Sequence, residues 1–248
     1  MNDASPIATE AALRVDLAAA LRLAARADWH EAVANHFSAA ISADGRRFLV
    51  NPRWVHFSRV RASDLLVVDA DDPTTMDRPD APDPSAWAIH SALHRELPQA
   101  RVALHLHPPY VTALAALKDP TIRPVDQVTA RFFNRLAYDL DFGGIALEAE
   151  EGARIARAIS RHDAVMMGNH GVTTLGATVA EAFDRMYHLE RAARTMVLAC
   201  STGQPLAVMS DELAEETARG WEAVPDERHA HFAQMKAILD VQEPDYRD

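Results

Sequence analysis

The sequence predicts a single α/β domain built on a mixed or antiparallel sheet rather than a parallel nucleotide-binding one. Two patterns point there: helical periodicities alternate with short apolar strands, and several of those strands meet at hairpin-like turns. A third observation agrees, since no Gly-x-Gly-x-x-Gly or Gly-Lys-Ser/Thr phosphate loop is present. At 248 residues and 48% hydrophobic, the chain can bury a sizeable core.

The elements follow in order. Apolar residues at three- and four-residue intervals predict a helix over 10–29. Residues 37–52 predict two strands around a turn at Asp44-Gly45, and 64–72 another strand ended by acids and a proline. Prolines 73, 79, 82 and 84 mark a loop, after which Ser85 is a candidate N-cap for a helix over 85–97. The strand 101–107 leads into a helix over 109–119 with proline in its first turn. Residues 122–147 read as turns and short strands, and 150–161 as a helix. "DAVMMGNHGVTTLG" (163–176) reads as strand, Asn-His-Gly break and strand. A long helix over 178–203 starts at a Thr cap and stops at Gly203, and the acidic tail after 205 is helix-prone.

Composition narrows the function. A net charge of -11 argues against nucleic acid and anionic membranes as partners, leaving a small-molecule substrate as the better expectation. Cys200 is the single cysteine, no stretch reaches about 18 apolar residues, and the first residues are acidic where a signal peptide is basic, so a cytoplasmic protein is expected.

"RVALHLHPPY" (101–110) puts His105 and His107 on one face of a strand, about 6.5–7 Å apart, close enough to share an ion. By itself the pair fits a hydrogen-bonded strand end equally well. His170, in "GNHGV", is the natural third ligand, because an unpartnered imidazole in a tight turn between apolar strands is costly and Gly171 permits close approach. His229 and His231 lie in a helical context, where residues two apart do not share a face.

With "ANHFS" (34–38), "FLVNP" (48–52), "ASDLLVVD" (62–69), "IHSALHRELPQARVALHLHPPYVTALAAL" (89–117), "NHGVTTLG" (169–176) and "AEAFDRMYHLERAARTMVLA" (180–199), the chain resembles the class II aldolase and adducin family. The resemblance implies an α/β/α domain with a central, largely antiparallel sheet flanked by helices. It implies one divalent metal ion per subunit, zinc or else manganese, cobalt or iron, on His105, His107 and His170. It also implies a homotetramer with active sites at subunit interfaces. The metal-binding domain is expected over 1–205, with 206–248 a helical extension of it.

Two departures from the family pattern shape the functional expectation. The resemblance puts Ala86 where sugar-phosphate aldolases carry their acid/base glutamate, and no carboxylate occurs between Asp83 and Glu96. "NPRW" replaces the family's phosphate-binding pair, although Asn35, Ser38 and Ser85 are kept. Arg53 and Trp54 suit a compact aromatic or carboxylated substrate, or else Trp54 packs in the core and Arg53 is solvated. The expectation is therefore a metal-dependent carbon–carbon lyase, foremost a decarboxylase of a small hydroxylated aromatic carboxylate. Retro-aldol cleavage with another acid/base, and a non-catalytic adducin-like binding module, are the alternatives. His36, His90 and Tyr138 are candidate catalytic residues, beside Tyr110 and Tyr187, and Asn35, Arg53, Trp54 and Ser85 are candidate substrate contacts. Gln127, Arg131, Trp221, His229 and His231 are further pocket candidates, whereas His94 and His188 read as structural.

Overall fold

The computed structural model describes residues 9–144 and 149–248. The reading of the first eight residues, and the end of the 122–147 stretch, lie outside them. Seven strands form one sheet in the order β3-β2-β1-β4-β7-β6-β5. They are β1 (His36–Ala40), β2 (Arg47–Val50), β3 (Leu66–Asp69), β4 (Val102–Leu106), β5 (Ala137–Asp139), β6 (Ala164–Met167) and β7 (Gly171–Gly176). Every pairing is antiparallel except that of β5 with β6. The short turns between β1 and β2 and between β6 and β7 make the adjacent antiparallel pairs direct hairpins.

Side chains alternate across this sheet and meet different helices on its two faces. Phe37, Leu104, Leu106, Met166 and Val172 pack with α1 (Glu10–Arg26), α3 (Pro109–Ala115) and α6 (Val179–Ser201) in the larger core. Ala103, Val165, Met167 and Leu175 point the other way, against Ile89, Leu93 and Leu97 of α2 (Pro84–Glu96) and Ile155 and Ile159 of α5 (Ala149–Ile159). The short α4 (Gln127–Ala130) sits in the loop before β5. At the C-terminal end, α7 (Asp211–Glu222) and α8 (Pro225–Gln242) follow α6, and Phe232, Leu239 and Tyr246 join the larger core.

Local chemistry accounts for most boundaries. The Thr178 side chain accepts the Glu181 amide at the start of α6, and Gly203, at φ +68°, lies just past its end. Helix α2 begins earlier than the serine signal suggested: Asp83 is its N-cap, accepting the Ser85 amide, and Pro84 occupies the first turn. Ser85 is thus released from capping and faces a cleft.

Candidate metal centre

The strand register builds the site. His36 of β1 lies opposite His105 of β4, and His105 lies opposite Thr173 of β7, so the three form a row across the middle of the sheet. Two residues along, His107 shares the α2-side face with His105. The β6–β7 turn supplies His170, with Asn169 adopting φ +54° to make the bend. Gly171 is a steric requirement: a Cβ there would lie 2.4 Å from His107 Cδ2 and 2.5 Å from the Leu106 carbonyl. Only a residue without a side chain lets the His107 ring lie against the turn.

One nitrogen from each of His105, His107 and His170 falls within 4.8 Å of the other two. The two strand histidines turn their Nε2 atoms toward each other at 3.2 Å. Their other nitrogens have acceptors: His105 Nδ1 lies 3.2 Å from Thr173 Oγ1, and His107 Nδ1 lies 2.7 Å from Glu31 Oε2. Protons placed on the Nδ1 atoms leave two Nε2 lone pairs facing one another, an arrangement that a cation relieves and another lone pair does not. Burial pushes the pKa of His105 well below the usual histidine value and that of His170 down to about 4, keeping both rings in the neutral, ligating form. The donor set therefore fits a divalent ion.

A cleft of about 410 Å³ opens beside these rings, lined among others by Asn35, His36, Ser85, Ile89, Thr112 and Phe142. Asn35 Oδ1 accepts the Glu31 amide at 2.9 Å and so braces the loop that carries the His107 partner. Its Nδ2, and Thr112 Oγ1, are buried without hydrogen-bond partners among the described residues. Both line the cleft, where a polar ligand would satisfy them. His36 stacks on His105 with ring centroids 4.7 Å apart, and burial pushes its pKa down to about 3.

Other expected site residues are placed elsewhere. His90 is buried behind His36, with its Nε2 2.8 Å from His36 Nδ1, and does not line the cleft. Tyr138 does not reach the cleft, because its hydroxyl accepts the Ile122 amide at 2.9 Å. Trp54 is 69% exposed, so it does not pack in the core, and it lines a separate surface cleft with His56 and Arg59. Arg53 stacks over Trp54 and approaches Asp83 at 3.7 Å, at the edge of the site. Tyr110 lies under Arg194, and Tyr187 packs against Trp29 and His231. Arg131, His188 and His231 gather around the buried Asp184, with Trp221 against Arg131, and do not line the cleft. Gln127 uses its carbonyl to accept the Trp221 indole N–H, and His229 turns instead toward Glu181.

Ala86 is 1% exposed within the small cluster of Phe48, Val50, Val68 and Ala70. The polar α2 residue facing the cleft is its neighbour Ser85, whose hydroxyl donates to Asp83 at 2.6 Å. Asp83, Glu31, Thr112 and Thr173 escaped the sequence reading. Asp-Pro-Ser before a helix was the one available signal, marking Asp83 as a cap.

Residues 15–197 match the Class II Aldolase and Adducin N-terminal domain, and the chain belongs to that family. An aldolase class 2 homologue from Caulobacter vibrioides is 35% identical over 206 residues, covering 83% of this chain and 79% of its own. Decarboxylase NovR of Streptomyces niveus is 30% identical over 172 residues, which is 69% of this chain and 62% of NovR. The crystal structure of an aldolase II superfamily protein from Pseudomonas syringae superposes with a TM-score of 0.87 at 30% identity, covering 100% of this chain and 98% of that one.

Proposed function

We propose that this protein is a metal-dependent carbon–carbon lyase that decarboxylates a small hydroxylated aromatic or related carboxylate. The observation that carries the reading is the cleft itself. It joins a three-imidazole metal site to unpartnered donors on Asn35 and Thr112, and α2 offers it a serine rather than a carboxylate. The likeness to Decarboxylase NovR supports the same choice. A divalent ion on His105, His107 and His170, zinc or else manganese, cobalt or iron, would supply Lewis acidity toward the substrate's oxygens.

The chain's own groups do the rest. Phe142, 6.2 Å from His170 between ring centroids, gives an aromatic substrate an apolar wall. Asn35 Nδ2 and Thr112 Oγ1 orient its oxygens. The ring oxygen pushes electron density to the carbon that bears the carboxylate, which takes up one proton and becomes tetrahedral; CO2 then leaves, and the pair from the broken carbon–carbon bond returns to the ring and its oxygen, so that one proton has replaced CO2. The proton enters from solvent by way of Asp83, whose side chain is 40% exposed and holds the hydroxyl of the cleft residue Ser85.

The reading includes a cytoplasmic homotetramer with the cleft at a subunit interface, and residues 206–248 as an extension of the metal-binding domain. Burial of Phe232, Leu239 and Tyr246 in the larger core supports the last point. The lone cysteine, Cys200, and the absence of any membrane-spanning helix among the described residues accord with the location. Light scattering during gel filtration tests the tetramer.

The decisive experiment has two stages. Protein purified without chelator is expected to hold about one divalent ion per chain, lost in His105→Ala and His170→Ala variants. A metal-free wild type would instead favour a binding module. Metal-loaded protein is then incubated with hydroxy-aromatic carboxylates and, separately, with sugar phosphates. CO2 from the first panel is expected; carbonyl fragments from the second alone would replace decarboxylation by aldol cleavage.

A further inference from the structure

A buried line of hydrogen bonds runs from the edge of the cleft into the protein behind the metal site. His36 Nε2 lies 3.2 Å from Ser85 Oγ, and His36 Nδ1 lies 2.8 Å from His90 Nε2. The line continues from His90 Nδ1 to Ser38 Oγ at 2.5 Å, and from Ser38 Oγ to His94 Nε2 at 2.7 Å. His36, Ser38, His90 and His94 are each no more than 4% exposed. Structural elements hold them in line: His36 and Ser38 are alternate residues of β1, and His90 and His94 are one turn apart on α2.

Such a line has two possible polarities, because each neutral imidazole carries one proton and each hydroxyl donates once. Asp83 selects between them. Its Oδ1 accepts both the Ser85 amide at 2.9 Å and the Ser85 hydroxyl at 2.6 Å. With its only hydrogen committed to the carboxylate, Ser85 Oγ faces His36 as an acceptor, so the proton of His36 sits on Nε2. His36 Nδ1 must then accept from His90 Nε2, His90 Nδ1 from the Ser38 hydroxyl, and Ser38 Oγ from His94 Nε2. At the far end His94 Nδ1 is left as a bare lone pair. It meets no hydrogen-bond partner of good geometry among the described residues, and although the Ala100 carbonyl on that side favours a proton on His94, the short Ser85–Asp83 bond at the other end sets the direction of the line.

We propose that Asp83, Ser85, His90, Ser38 and His94 are positioning residues that lock His36 as a neutral imidazole with its Nε2–H directed to the mouth of the cleft. His36 then serves as a hydrogen-bond donor, not as the base of the reaction: its Nε2–H rests on Ser85 Oγ in the free protein and is shared with a substrate oxygen that gains negative charge. A neutral imidazole suits this task, because it stabilises developing charge without giving up a proton. The role toward substrate rests on the lyase reading above; the protonation pattern does not.

Histidine-labelled protein, purified without chelator, tests the pattern by two-bond 1H–15N correlation, in which protonated and bare ring nitrogens resonate in separate ranges. His36→Gln, His90→Gln and His94→Gln variants assign the signals. The expected result is three Nε2–H tautomers, with Ser85→Ala moving His36 and His90 toward the Nδ1–H form or into averaging. Circular dichroism and an unchanged metal content confirm that the Ser85→Ala variant is folded. Three Nδ1–H tautomers in the wild type, or a folded Ser85→Ala variant with His36 unmoved, overturn the proposal. Neither result depends on whether the substrate is an aromatic acid, so failure of the lyase reading would be seen separately in the CO2 assay.

Discussion

Glu31 is the carboxylate that orients one candidate ligand of the three-histidine site. Its carboxylate holds His107 Nδ1 at 2.7 Å, and its loop is shaped by Ala32 at φ +48° and Asn35 at φ +72°. Removing such a partner leaves the ring free to turn and lowers its basicity. Glu31→Ala is therefore expected to weaken zinc binding by about 10- to 100-fold, read by competition with a chromophoric chelator; unchanged affinity would remove Glu31 from the site. The candidate ligands themselves were legible, because two histidines on one strand face and a third beside a glycine are local patterns. Glu31 was not, since it lies 76 residues before its partner in the chain.

At the scale of elements, one helix serves three surroundings. The α-helical turn sends Ser85 and Ile89 to the cleft, His90 and His94 to Ser38, and Ala86 into the apolar cluster around Phe48. Helix α5 fixes the angle of α2 from behind, and the two approach most closely at Gly152. A Cβ on that glycine would lie 2.0 Å from the Ala88 carbonyl oxygen, which is backbone and cannot turn aside. Gly152→Ala should force the helices apart and cost about 1–3 kcal/mol, measured by urea denaturation. A variant as stable as the wild type would show that α5 shifts freely. Helical periodicity predicted both elements, but contact at Gly152 follows from how the sheet brings them together.

Across the whole molecule, buried imidazoles tie stability to pH. Burial pushes the rings of His36, His94 and His170 down to about 3, 4 and 4, from an ordinary value of 6.5. Below pH 6.5 the unfolded chain takes up protons that the folded chain refuses, so their stability is complete above that pH and declines toward pH 4. A single such ring accounts for about 2 kcal/mol at pH 5. Chelator-treated protein should show a urea midpoint falling steadily from pH 7 to pH 5; a flat profile would mean that these rings are open to solvent. The C-terminal segment is also part of the stability of the whole. Tyr246 is fully buried and its hydroxyl donates to Asp240 at 2.6 Å. Tyr246→Ala is expected to cost about 3 kcal/mol, seen as a lower thermal midpoint.

By itself the sequence determined the α/β class, most strand and helix positions, the three histidines that could hold a metal ion, and the family. Each of these is written in short-range periodicity, turn chemistry or spacing, which a linear chain displays. Only the tertiary structure decided that Ser85 rather than Ala86 faces the cleft, that Tyr138 and Trp54 lie outside it, and that Asp83 sets the direction of a buried line of histidines. Those outcomes come from strand register and helix rotation, where one residue of offset turns a side chain from cleft to core. No local pattern carries that offset, because it is set by the packing of segments distant in the chain.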